Sequence, residues 1–287
     1  MRSPSSAMGR LTFRSIEFSS TLPFADLASG PSPPPTHFIL PHLPSVVTAE
    51  TKADFRLRTA PCVDVDTSVS PGGVTSFHKP RPIMTIASSL FENSASLIGA
   101  ARERIEAYGA DTLLIVGGNE RTEKSLTSTE AINILSESFP TDTVSLFCAW
   151  DPNSPRDLDL VAKKINAGAT GVITQPLLTK SAWDQFDMCQ SEAVFGEKIM
   201  LIPGMALPKS KKNLMFWSNL LKEPQDTIHK DDEFIRSLRH FESPDFNKSI
   251  RHAWSTEQRD RLLSYEITRG LHFMPLGNNA DLLLLLR

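Results

Sequence analysis

Seven residues spread along the chain stand where an apolar run gives way to polar, small or kinked residues: Glu17, Thr48, Asn119, Trp150, Gln175, Gly204 and Gly277. They supply one carboxylate, one hydroxyl, two amides, an aromatic face and two glycines that allow close backbone approach. Such a set suits a flat, hydrogen-bonding heterocycle better than a metal or an acyl substrate. It contains no His pair, no metal-ligand cluster and no Ser-His-Asp arrangement. The chemistry is therefore expected to come from a bound cofactor. Asp157 and Lys164 are seven residues apart, about two helical turns, and so share one helix face. Plainer readings stand beside these. Glu17 can be an ordinary strand-end charge, and Gln175 can cap a loop. Asn119 can be a turn residue after two glycines, and Trp150 can pack in the core. Asp157 and Lys164 can be a solvated pair, and His272 a satisfied core histidine.

If these residues are to meet, the elements before them must be parallel strands. The pattern reads that way. Apolar runs at 82–86, 112–116, 144–149, 171–174, 198–202 and 271–275 alternate with helical spacing at 94–108, 128–138, 157–167 and 181–190. Further helical patterns fall near 210–221, 231–241 and 255–269. Glu130 lies near the start of one helix, and Ser181 is expected to cap another, with Asp184 in its first turn. Two earlier strands are expected at 14–18 and 44–48, separated by proline-rich sequence that cannot form helix interior. The charged stretch from Lys222 to Lys230 reads as an exposed loop. Lys209 to Lys212 reads as a solvated helix start, and Leu282 to Leu286 as a terminal helix. The expected fold is an α/β, (β/α)8 TIM barrel with degenerate first two β/α units. Residues 1–13 form an N-terminal tail and 14–287 a single barrel domain, its site at the C-terminal ends of the strands.

Bulk properties narrow the partners. The 287 residues carry a net charge of −3, which gives no electrostatic footprint for nucleic acid. No apolar run reaches the roughly 20 residues needed to cross a bilayer, so no membrane partner is expected. Three widely spaced cysteines without a C-x-x-C pair point to a reducing compartment, read as cytoplasmic. The basic, serine-rich first ten residues also fit a transit peptide, which makes a mitochondrial location the alternative. A barrel missing its first two helices exposes strand faces, and a homo-oligomer is one way to cover them.

The block from Asp157 through Lys164-Ile-Asn-Ala-Gly-Ala169 to Ile173-Thr-Gln175 resembles the methylenetetrahydrofolate reductase family, a flavin-dependent barrel. So do Ser15 to Phe18, Leu201 to Gly204 and Gly270 to Phe273. The resemblance covers residue 82 to the end and is thin between 19 and 81. It implies an oxidoreductase that passes hydride from NADH or NADPH through FAD to a folate one-carbon unit. Under it, Glu17 is the general acid, a role helped by a carboxyl pKa raised in a partly apolar mouth. Gln175 and Asn119 orient the substrate; Thr48, Gly118, Trp150, Asp157 and Lys164 contact the cofactor. The chain departs from the family where Gly117-Gly118-Asn119 replaces Arg-Gly-Asp and where Ile83 replaces a histidine. Trp150 replaces a tyrosine. Two other readings remain open: a repurposed, non-catalytic binding or interaction barrel without flavin, and a pterin-binding one-carbon protein.

Overall fold

A computed structural model describes residues 13–17, 37–40, 81–118, 122–154, 157–191, 195, 199–220, 225–228, 230–242 and 248–275. Six parallel strands run side by side: β3 (Arg81–Ala87), β4 (Thr112–Val116), β5 (Ser145–Trp150), β6 (Gly171–Pro176), β7 (Met200–Leu207) and β8 (Gly270–Pro275). Two short strands, β1 (Phe13–Glu17) and β2 (His37–Leu40), are placed by backbone pairing. β1 pairs with both β8 and β2, and β2 pairs with β3, so the strand order closes on itself.

The helices are α1 (Ser94–Tyr108), α2 (Ser128–Ser138), α3 (Asp157–Asn166), α4 (Lys180–Ser191), α5 (Lys211–Leu220), α6 (Gln225–Ile228), α7 (Asp232–Glu242) and α8 (Lys248–Leu263). Local chemistry sets their ends. Asn93 caps α1 by accepting from Ser96 N–H at 2.9 Å, and Gly109 ends it at φ 62°. Thr127 and Glu130 form a reciprocal capping box at the start of α2. At α4 the cap is Thr179, whose hydroxyl accepts from Ala182 N–H at 3.1 Å, and not Ser181 as the sequence suggests.

Side-chain parity divides the strands into two faces. One set, including Met84, Ile115, Leu146, Cys148, Trp150 and Phe273, packs against the helices in the main core. The alternate set, Ile83, Leu114, Phe147, Ile173 and Ile202, forms a separate cluster inside the curve of the sheet. Gly171 belongs to this inner layer. A Cβ there would sit 2.5 Å from ring atoms of Phe147, so the aromatic ring occupies the place of a side chain. A third cluster gathers Trp217, Ile228, Phe234 and Trp254 from α5 to α8 around Met274 of β8.

The expectation of a (β/α)8 TIM barrel with degenerate first two β/α units is corrected. Described strands and helices do not form eight β/α units. Regular alternation is confined to the six-stranded parallel arc from β3 to β8, and four helices, where three helical patterns were expected, separate β7 from β8. The second strand lies at His37–Leu40, not at 44–48. The stretch read as an exposed loop contains α6, whose Ile228 is fully buried. Residues 1–12 of the expected tail and the terminal leucine run lie outside the described residues, and Phe13 already belongs to β1.

Candidate functional site

The C-terminal ends of β3 to β6 are closed by polar contacts within the protein. After β4, Gly118 adopts φ 83°, and a Cβ there would collide with the Ser89 hydroxyl. The two loops touch because Ser89 N–H donates to Gly117 C=O at 3.1 Å. Ser125 Oγ donates to Ser89 C=O at 2.8 Å and holds the turn from beneath. Gly118 is therefore required by the β3 loop.

Lys164 is 6% exposed, and its Nζ donates to Ala149 C=O at 2.7 Å. A buried ammonium is stable only when hydrogen-bonded, and this carbonyl at the end of β5 is one such partner. The same lysine lies near Cys148, whose thiol burial pushes up to about 11 against the opposing effect of Lys164. Trp150 is fully buried on the helix-facing parity of β5, stacked on Phe186 at 6.2 Å and tilted against Phe195 at 5.7 Å. It packs in the main core. Gly118, Trp150 and Lys164, expected to contact a cofactor, are thus each found in contacts within the protein.

A buried network joins the ends of β5 and β6. Asp151 Oδ1 accepts from the backbone N–H of Asn153 at 3.1 Å and from its Nδ2 at 3.0 Å. Asn153 Nδ2 also donates to Pro176 C=O at 3.0 Å, and Thr179 Oγ1 donates to Asn153 Oδ1 at 3.1 Å. Sequence reasoning missed these three residues. Asp-Pro-Asn-Ser directly after a strand is a turn signature, and it was the available cue.

Gln175 sits at a register irregularity between β6 and β7. Thr174 holds this bulge, donating to Gln175 C=O at 2.7 Å and accepting from Gly204 N–H at 2.9 Å. Val116, Ala149 and Gln175 share the inward parity at the ends of β4, β5 and β6, and all three are partly exposed. They present two apolar groups and one amide at neighbouring strand ends. Thr85, one layer deeper on β3, buries a hydroxyl with no partner among the described residues. His272 is 3% exposed on β8, in register with Gly204. Glu17 ends β1 and Asp157 opens α3, but their side chains lie outside the described residues, as do Thr48, Asn119 and Gly277 entirely. Among the described residues no group of three His, Cys, Asp or Glu could hold a metal ion, and no helix is long and apolar enough to cross a membrane.

No family model matches this chain, and no curated protein matches it. Among solved structures it is similar to 2,3-dimethylmalate lyase, a member of the PEP mutase/isocitrate lyase superfamily. The identity is 8% over 96% of this chain and 82% of the other, with a TM-score of 0.48. That neighbour is an enzyme, but a likeness this distant carries no argument about activity here. The resemblance to methylenetetrahydrofolate reductases is corrected: no family model or curated relative supports it, and the oxidoreductase, FAD and folate assignments that rested on it have no support.

Proposed function

We propose that this chain is a binding barrel that takes a small, uncharged, hydrogen-bonding ligand at the ends of β4, β5 and β6. The observation that carries the reading is the division of polar groups at the strand ends. The buried charges there, Lys164 and Asp151, are bonded to Ala149 and Asn153, whereas the partly exposed inward positions are Val116, Ala149 and Gln175. An amide offers one acceptor and two donors, enough to fix the edge of a planar neutral ligand between apolar surfaces. A phosphate or carboxylate would meet no described cation at those three positions.

Thermal unfolding of the full chain with pterin, adenine or nicotinamide, each beside a phosphorylated heterocycle of similar size, tests the reading. At least one uncharged compound should raise the unfolding temperature, and Gln175→Ala should remove that shift. Stabilisation by the phosphorylated compounds alone, or a stoichiometric yellow protein on purification, would overturn it.

A further inference from the structure

The backbone around Gln175 is held by buried side chains, while no described residue bonds to the Gln175 side-chain amide. Register between β6 and β7 runs from Ile173 opposite Ile202 to Pro176 opposite Gly204, so Thr174 and Gln175 together face Pro203. This is a β-bulge, and Pro203 suits it because proline has no N–H to lose from the ladder. Thr174 is 1% exposed, and its hydroxyl bridges the gap. That hydroxyl accepts from Gly204 N–H at 2.9 Å and donates to the C=O of Gln175 at 2.7 Å. From the β5 side, Asn153 Nδ2 donates to the C=O of Pro176 at 3.0 Å. Asn153 is fully buried and is itself fixed by Asp151 and Thr179. Gly204 completes the clamp: a Cβ there would lie 2.2 Å from the Thr174 carbonyl oxygen and 3.1 Å from the Gln175 carbonyl carbon.

We propose that Thr174 and Asn153 are positioning residues for Gln175: they fix the end of β6 so that its amide meets a ligand already in place. The inference rests on the ligand reading above and supplies its device. Two successive carbonyls, those of Gln175 and Pro176, are taken by buried side chains from opposite neighbouring strands. Packing alone does not call for this, because Thr174 and Pro176 are buried and Gln175 between them is the partly exposed residue. A bulge at a strand end is a means of aiming one side chain. Holding its backbone with groups that are themselves locked removes ordering cost that binding would otherwise meet. Neither Thr174 nor Asn153 needs to touch the ligand; both act through the Gln175 backbone.

The test measures affinity by thermal-shift titration of the full chain with pterin, adenine and nicotinamide. Thr174→Val keeps the shape and the β-branched stem but removes the hydroxyl, and should weaken binding by about tenfold, the equivalent of one hydrogen bond. Thr174→Ser restores the hydroxyl and should bind as wild type does. Thr170→Val removes a comparable hydroxyl contact, to Leu146 C=O just before β6 begins. It should lower the unfolding midpoint and leave the affinity unchanged. If Thr174→Val does not unfold cooperatively, Asn153→Ser, which removes the donor to Pro176, decides in its place. Binding lost in Gln175→Ala but unchanged in Thr174→Val would overturn this inference and leave the ligand reading standing. Equal weakening in Thr174→Val and Thr170→Val would also sink it, because general loosening of β6 would then be the cause. Failure of wild type to bind any of the three probes would contradict both.

Discussion

Lys164 places its ammonium on the carbonyl of Ala149, and that contact makes it part of the scaffold. Replacing it with methionine keeps the stem but leaves the carbonyl without this donor. The expected cost is about 1–3 kcal/mol, read as a lower urea midpoint; an unchanged midpoint would return the lysine to the list of ligand contacts. Cys148 gives a pH signature. Its thiol rises from 9.0 to about 11 because burial disfavours the thiolate. Between these values the folded chain retains a proton that the unfolded chain has released, so stability falls as pH rises through that window. Cys148→Ala should flatten the decline, and an identical slope in both proteins would show that other groups cause it. Trp150 shows where sequence reading stops. Its position at a strand end was legible; its face was not. β5 is apolar at both parities because a parallel strand is covered on both sides, so alternation gives no sign of which residues turn inward.

At the level of elements, one carboxylate fastens two helices. Both oxygens of Asp231 accept from Lys180 N–H, at 3.0 and 2.9 Å, and Oδ1 also accepts from Phe234 N–H at 3.0 Å. The N-termini of α4 and α7 therefore share a cap. Asp231→Ala should cost about 1–2 kcal/mol and loosen both first turns, which amide hydrogen exchange would resolve. Altered protection in α7 alone would limit the role to one helix. The strands from β3 onward and the helices α1 to α4 were legible because their apolar periods are long and their caps conventional. β2 was misplaced because Pro41 and Pro44 punctuate a region with two short apolar runs, His37–Leu40 and Ser45–Val47, that period alone does not distinguish. α6 was hidden by its charged neighbours, although Ile228 is what it buries.

Across the whole molecule, β3 to β8 form a parallel arc closed by the pairing of β1 and β2, with an apolar inner layer and the partly exposed Val116, Ala149 and Gln175 at the ends of β4, β5 and β6. Tight packing of the inner layer is testable at Gly171. Gly171→Ala forces a methyl into the Phe147 ring and should cost about 1–3 kcal/mol, with Phe147→Leu recovering part of it. The candidate site was partly legible. Gln175 was named because its strand ends in a polar residue, and it does stand at the end of β6, whereas the Asp151–Asn153–Thr179 network joins residues on separate loops that no local spacing brings together. The central claim is that the chain accepts an uncharged ligand through Gln175 while Lys164 serves the scaffold. The most direct measurement is the thermal unfolding midpoint of wild type, Gln175→Ala and Lys164→Met, each with uncharged heterocycles and with FAD. The expected result is a rise with at least one uncharged heterocycle that Gln175→Ala abolishes and Lys164→Met retains, and no rise with FAD. Stabilisation by FAD that disappears in Lys164→Met would contradict it.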